Sequence, residues 1–136
     1  RMIRSAPFRS GVRKPTSRLM ASFKQGDVIK VPFPYTDRPT RQSRPALVVS
    51  TGGLEEAHGL LWVVMITSAE NRGWPSDVPI TQLTTAGLPV ASVIRTAKIA
   101  TIEARDATKL GKVSIGILKQ VINRLGQELA IVAASP

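Results

Sequence analysis

LLWVVMITS (Leu60–Ser68) is an unbroken run of apolar side chains, most of them branched, closed by two hydroxyl residues. It is far shorter than the roughly 18 residues of a membrane span, and its lack of polar alternation marks a strand buried on both faces. PALVVS (Pro45–Ser50) has the same character, and TGGLEEAHG between the two leaves room only for a loop or one helical turn. Upstream, GDVIKVPFPY (Gly26–Tyr35) alternates Val28, Val31 and Phe33 with charged and turn residues, and its prolines confine its end to a sheet edge. Trp62, inside the apolar run, is expected in the core.

Downstream, NRGWPS (Asn71–Ser76) is dense in turn formers and reads as an exposed loop, followed by a short strand at DVPI (Asp77–Ile80). TTAGLP holds Gly87 and Pro89 and predicts another turn. ASVIRTAKIATIE (Ala91–Glu103) gives two short strands or one bent one. The last segment is helical: Ser114 is the expected N-cap, and Leu118, Val121, Ile122, Leu125 and Leu129 form a stripe expected to be core. Strands come first and a helix last, with connections too short for parallel crossovers. The fold class is therefore mainly β with minor α, a small and strongly bent antiparallel barrel with a packed C-terminal helix.

A chain of 136 residues with 43% hydrophobic and 21% charged residues is one ordinary domain. The absence of cysteine excludes disulfides, thiolate metal sites and a thiol nucleophile, and one histidine, His58, excludes any mechanism needing two. His58 itself reads as a loop residue. No cofactor and no metal are expected, so chemistry falls to Arg, Lys, Thr, Ser, Asp or Glu. Nineteen Lys and Arg against nine Asp and Glu give a net +10, which points to a polyanionic partner. Six of those cations lie in residues 1–22, which contain no acid. That segment reads as a flexible basic arm, an upstream extension or remnant before Met20, ahead of a domain spanning 23–136. A reducing, cytoplasmic setting without membrane attachment fits the composition.

The ordered set GDVIKVPFPYTD (Gly26–Asp37), SRPALVVS (Ser43–Ser50), VVMITS (Val63–Ser68), GLPVASVIRTAKIATIE (Gly87–Glu103) and LGKVS before the helix resembles the PemK/MazF family of bacterial toxins from type II toxin–antitoxin pairs. Each motif is short and ordinary, while their order and spacing over about residues 24–131 are specific. The first loop resembles a PemK-like subgroup written FPFTD. The resemblance implies an SH3-like barrel, a homodimer that binds single-stranded RNA, and a cognate acidic antitoxin that neutralises it. DNA binding by the toxin–antitoxin complex belongs to the same expectation. The implied activity is a growth-inhibiting, metal-independent, sequence-specific endoribonuclease, an mRNA interferase of the bacterial cytoplasm.

By the same resemblance, Arg44 corresponds to the catalytic arginine and Thr67 to the catalytic threonine, with Ser68 beside it. A fixed guanidinium can meet two non-bridging phosphate oxygens in a fork, and a threonine hydroxyl can donate a third hydrogen bond. Tyr35, Arg38, Arg41, Arg72, Trp74, Arg95 and Lys98 are the RNA-binding candidates. Trp74 can stack an unpaired base or serve as a lid over the barrel end. Arg44 before a proline is equally a surface or salt-bridging strand residue, and Arg95 with Lys98 equally a solvated face. Some family members carry an acid two positions after the fifth-strand arginine, where this chain has Ala97. Asp37, Glu70 and Asp77 are the substitute bases the sequence offers. The departure keeps two alternatives open: a catalytically silent SH3-like module binding nucleic acid or peptide, and a gyrase-poisoning toxin of the same fold.

Overall fold

The computed structural model describes residues 21–34 and 41–130, with backbone only at 33–34 and 41–42. Six strands form one antiparallel sheet: β1 (Asp27–Pro34), β2 (Arg41–Val48), β3 (Leu60–Ser68), β4 (Val78–Ile80), β5 (Ser92–Glu103) and β6 (Thr108–Lys112), in the order β4-β5-β3-β2-β1-β6. Helix α1 (Gly52–His58) joins β2 to β3, α2 (Leu83–Ala86) joins β4 to β5, and α3 (Ile115–Glu128) closes the domain. The mainly β architecture with a packed C-terminal helix is the one the sequence predicts.

Both faces of the sheet are covered, which is why β2 and β3 lack polar alternation. One core gathers Val28, Leu47, Val64, Ile66, Val78 and Ile94 with Ile117 and Val121 of α3. The other gathers Ile29, Val31, Ala46, Val48, Leu61 and Val63 with Phe23 and Ala104. The prolines of β1 behave as expected among the described residues, where Asp27–Lys30 pair with β6 and Val31–Pro34 pair with β2 alone. His58 is exposed in the last turn of α1.

β5 is one bent strand. Val64 pairs with Ile99 but the next residue, Met65, pairs with Arg95, so Thr96, Ala97 and Lys98 bulge out of the β3 ladder. Such an insertion sharpens the local twist and lets the sheet curl. β6 was not legible as a strand, because TKLGK has one large apolar side chain. It forms by pairing with β1, where Lys109 Nζ lies 3.4 Å from the buried Asp27 carboxylate.

Two apolar expectations are corrected. Trp62 is 50% exposed, because alternation fixes which face a residue takes but not where the cover over that face ends. In α3 the buried positions are Ile117 and Val121, with Leu118 and Leu125 half-buried. Ile122 is 37% and Leu129 72% exposed, and with Ile115 at 68% they form a seven-residue repeat along the helix flank. The apolar stripe is thus wider than the sheet it covers.

Where α2 meets β6 the backbones touch. A Cβ on Gly87, which has φ +73°, would come within 2.2 Å of the Leu110 carbonyl oxygen, and Gly111 faces Thr85 at 2.3 Å in the same way. Both glycines are there for close approach, and Gly87 also for its left-handed turn. Gly87→Ala is expected to lower stability by about 2–4 kcal/mol in urea unfolding, beyond the roughly 1 kcal/mol of left-handed strain alone.

Candidate functional site

The register of β2 determines what Thr67 faces. Ala46, Leu47 and Val48 pair with Met65, Val64 and Val63, and carrying that ladder two residues further sets Arg44 opposite Thr67. Alternation gives both the same face, Arg44 with Ala46 and Val48, Thr67 with Met65 and Val63. Arg44 itself pairs with Val31 of β1 and is half-buried. Thr67 pairs with Val93 of β5 and is 4% exposed. The polar site begins where the second core ends.

Thr67 leads into a tight turn. The Asn71 N–H donates to the Ser68 carbonyl at 3.1 Å and the Glu70 N–H to Ser68 Oγ at 3.2 Å. The turn carries Asn71 back so that its Nδ2 donates to Thr67 Oγ1 at 2.6 Å. Ser68 pairs with Ser92 and takes the opposite face from Thr67. Its hydroxyl closes the turn, and it does not join Thr67 in one site.

The following loop is tied down from beneath. Arg95, on the bent strand, is 7% exposed. Its Nε and Nη2 donate to the two oxygens of Asp77 at 3.2 and 3.0 Å, and Nη2 also donates to the Arg72 carbonyl at 2.7 Å. Its guanidinium carbon lies 4.4 Å from the centre of the Trp74 ring. The Trp74 N–H donates to Asp77 Oδ2 at 3.0 Å, and the Thr96 hydroxyl donates to the Ser76 carbonyl at 3.1 Å. The face cation expected at 95 is therefore an internal clamp on residues 72–77. Trp74 is half-buried with one ring face on Arg95, while exposed Lys98 lies 5.8 Å from the same ring. Arg72 is exposed.

Asp77 is a poor proton acceptor in this setting. Burial acts to raise its pKa, but the Arg95 hydrogen bonds, the Trp74 N–H and the Arg95 charge outweigh burial and hold it below its ordinary value. Glu70 is exposed at the turn, and Ala97 is exposed on the bulge with no acid to offer. Tyr35, Arg38 and Asp37 lie outside the described residues, and Arg41 is described by its backbone alone, paired with Pro34. Among the described residues no three His, Cys, Asp or Glu side chains gather as a metal site would require, and no helix is long and apolar enough to cross a membrane. Sequence reasoning missed Asn71 as a partner of Thr67 and Asp77 as the partner of Arg95. The turn formers of Asn71–Ser76 mark a loop, but nothing in them says which side chain turns back.

The curled sheet with its helix is the fold of the MazF toxins. It is similar to MazF from Deinococcus radiodurans, at TM-score 0.65 and 24% identity over 79% of this chain and 96% of that one. A MazE–MazF complex from the same organism matches at 0.65 and 23%, over 79% and 95%. An endoribonuclease in complex with its cognate antitoxin from a mycobacterial species matches at 0.61 and 17%, over 80% and 94%. No curated protein matches significantly. Residues 24–129 match the model of the PemK-like, MazF-like toxin of type II toxin–antitoxin systems. This chain belongs to that toxin family.

Asp77→Asn is expected to cost about 2–4 kcal/mol at pH 7, because it leaves the Arg95 guanidinium buried without its counter-charge. Since the folded-state pKa of Asp77 is depressed, the ion pair contributes fully above the ordinary carboxylate pKa and is lost as pH falls through the lower folded value. Urea melts should therefore show a constant gap between wild type and variant from about pH 5 to 8, narrowing below about pH 4.

Proposed function

We propose that this toxin cuts single-stranded RNA without a metal, with Arg44 and Thr67 at the centre of the reaction. What supports this reading is the β2–β3 ladder, whose last pair is Ala46–Met65 and which, carried two residues further, sets Arg44 and Thr67 on one sheet face at the edge of the core. The 2′-hydroxyl oxygen attacks the adjacent phosphorus, the bond from phosphorus to the 5′ oxygen breaks, and the products are a 2′,3′-cyclic phosphate and a 5′-hydroxyl. Negative charge grows on the non-bridging oxygens, where a guanidinium fork and a hydroxyl donor lower the barrier. Arg44 acts as an electrostatic stabiliser, because with a pKa above about 12 it gives up its proton poorly. Asp77 is bound to Arg95 and Ala97 has no acid, so neither is assigned as base.

Arg72, Lys98 and the outer face of Trp74 fit the path of an unpaired strand, and Tyr35, Arg38 and Arg41 are kept as RNA-binding residues on the sequence alone. Arg95 supports that path from inside. The first loop, FPYTD in this chain, supports a reading within the PemK-like subgroup by its resemblance to FPFTD. A cognate antitoxin would offer an acidic segment to the same cations, and both components would act in the bacterial cytoplasm.

The test is cleavage of labelled single-stranded RNA in EDTA. Wild type should cut, Arg44→Ala should lose about 100- to 1,000-fold in kcat, and Arg44→Lys should recover little of it because an ammonium has no fork. Intact RNA with every chain would favour the silent binding module, and inhibition of gyrase supercoiling the gyrase-directed toxin.

The homodimer is implied by the family resemblance, and the apolar flank Ile115, Ile122 and Leu129, exposed beside the core-facing side of α3, supports it. Ile122→Glu is expected to raise the dimer dissociation constant at least about tenfold in sedimentation equilibrium, since a carboxylate in an apolar interface is desolvated without a partner.

A further inference from the structure

We propose that Asn71 is a positioning residue for RNA cleavage, holding the Thr67 hydroxyl so that its proton points at the substrate phosphate; this rests on the nuclease reading above. A hydroxyl has one proton and two lone pairs. The Asn71 amide takes one lone pair by donating at 2.6 Å, so the Thr67 proton is directed away from Asn71. Thr67 is 4% exposed, and the β2–β3 ladder carried two residues past Ala46–Met65 sets it on the face of Arg44, where both donors would meet the same anion. A donor oriented before the substrate arrives needs no reorganisation when charge develops.

Asn71 is fixed from both sides of the chain. On its N-terminal side the Ser68 carbonyl accepts its backbone N–H at 3.1 Å. On its C-terminal side the carbonyl of Arg72 is held at 2.7 Å by Arg95, which the Asp77 carboxylate anchors in turn. The internal clamp thus supports Asn71 as well as the Trp74 loop. Asn71 is exposed at the surface and packs in neither core, so changing it leaves the barrel intact.

Asn71→Ala and Asn71→Asp are each made in wild type and in Thr67→Val, and RNA cleavage is measured in EDTA. Asn71→Ala is expected to lower kcat about tenfold with KM changed less than about twofold, and to add no loss in Thr67→Val, as for residues acting as a unit. Asn71→Asp should be worse than Ala in wild type, since a carboxylate accepts the Thr67 proton and turns it from the phosphate. The same change in Thr67→Val isolates the effect of the added charge. Additive losses, or an Asp variant as active as wild type, overturn the proposal.

A readout free of activity accompanies it. In side-chain amide spectra of the full chain, the Asn71 Nδ2 protons should shift in Thr67→Val, and their indifference would overturn the pairing whatever happens to RNA. Should wild type leave RNA intact, the nuclease reading falls and this role with it. An amide shift found alongside intact RNA identifies that failure as one of function and not of the hydrogen bond.

Discussion

A one-residue slip of β3 against β2 would move every β3 side chain to the opposite face. Val64 and Ile66 would leave the core under α3, Leu61 and Val63 would leave the core beneath, and Thr67 would no longer share a face with Arg44. Two cores therefore specify one register, and that register, carried past its last pair, orders the residues of the candidate site. Burial on both faces makes the slip expensive twice, which is a stronger constraint than a one-sided sheet can impose. The site lies at the strand end, where the apolar cluster stops and hydroxyl and guanidinium groups continue the same row.

The bent fifth strand performs a second task with the same geometry. Three residues excluded from the β3 ladder at Thr96–Lys98 turn the strand, and the residues around that turn, Arg95 and Thr96, hold the loop that follows β3. An arginine inside a protein is tolerated only when its charge and donors are matched. Asp77, the Arg72 carbonyl and the Trp74 ring match it. Arg95 and Asp77 cancel each other inside the protein, so the net +10 comes entirely from the other ionised side chains.

The sequence made the strands and the helix legible because their patterns follow from covering a sheet on both faces. Ser114 works as the N-cap, its hydroxyl accepting from the Ile117 N–H at 3.2 Å. Failures came where a residue's place depends on something distant. β6 exists because β1 offers an edge, Trp62 is exposed because cover ends before it, and Ile122 and Leu129 lie on a stripe wider than the sheet. In the site, the family resemblance named Arg44 and Thr67, and their shared face follows from the strand pattern. The roles of Arg95 and Ser68 did not follow, since a buried clamp and a turn cap are read from partners that sequence spacing does not reveal. Asn71 was invisible for the same reason.

Threonine suits position 67 better than serine on physical grounds. Two heavy substituents on Cβ restrict its rotamers, and a strand restricts them further. At 4% exposure Thr67 is shielded from solvent, so the strand backbone restricts its hydroxyl more than water does. The remaining freedom is rotation of the hydroxyl proton, which the amide of Asn71 restricts by occupying a lone pair. Serine would keep the hydroxyl and lose the methyl that restricts its rotamers.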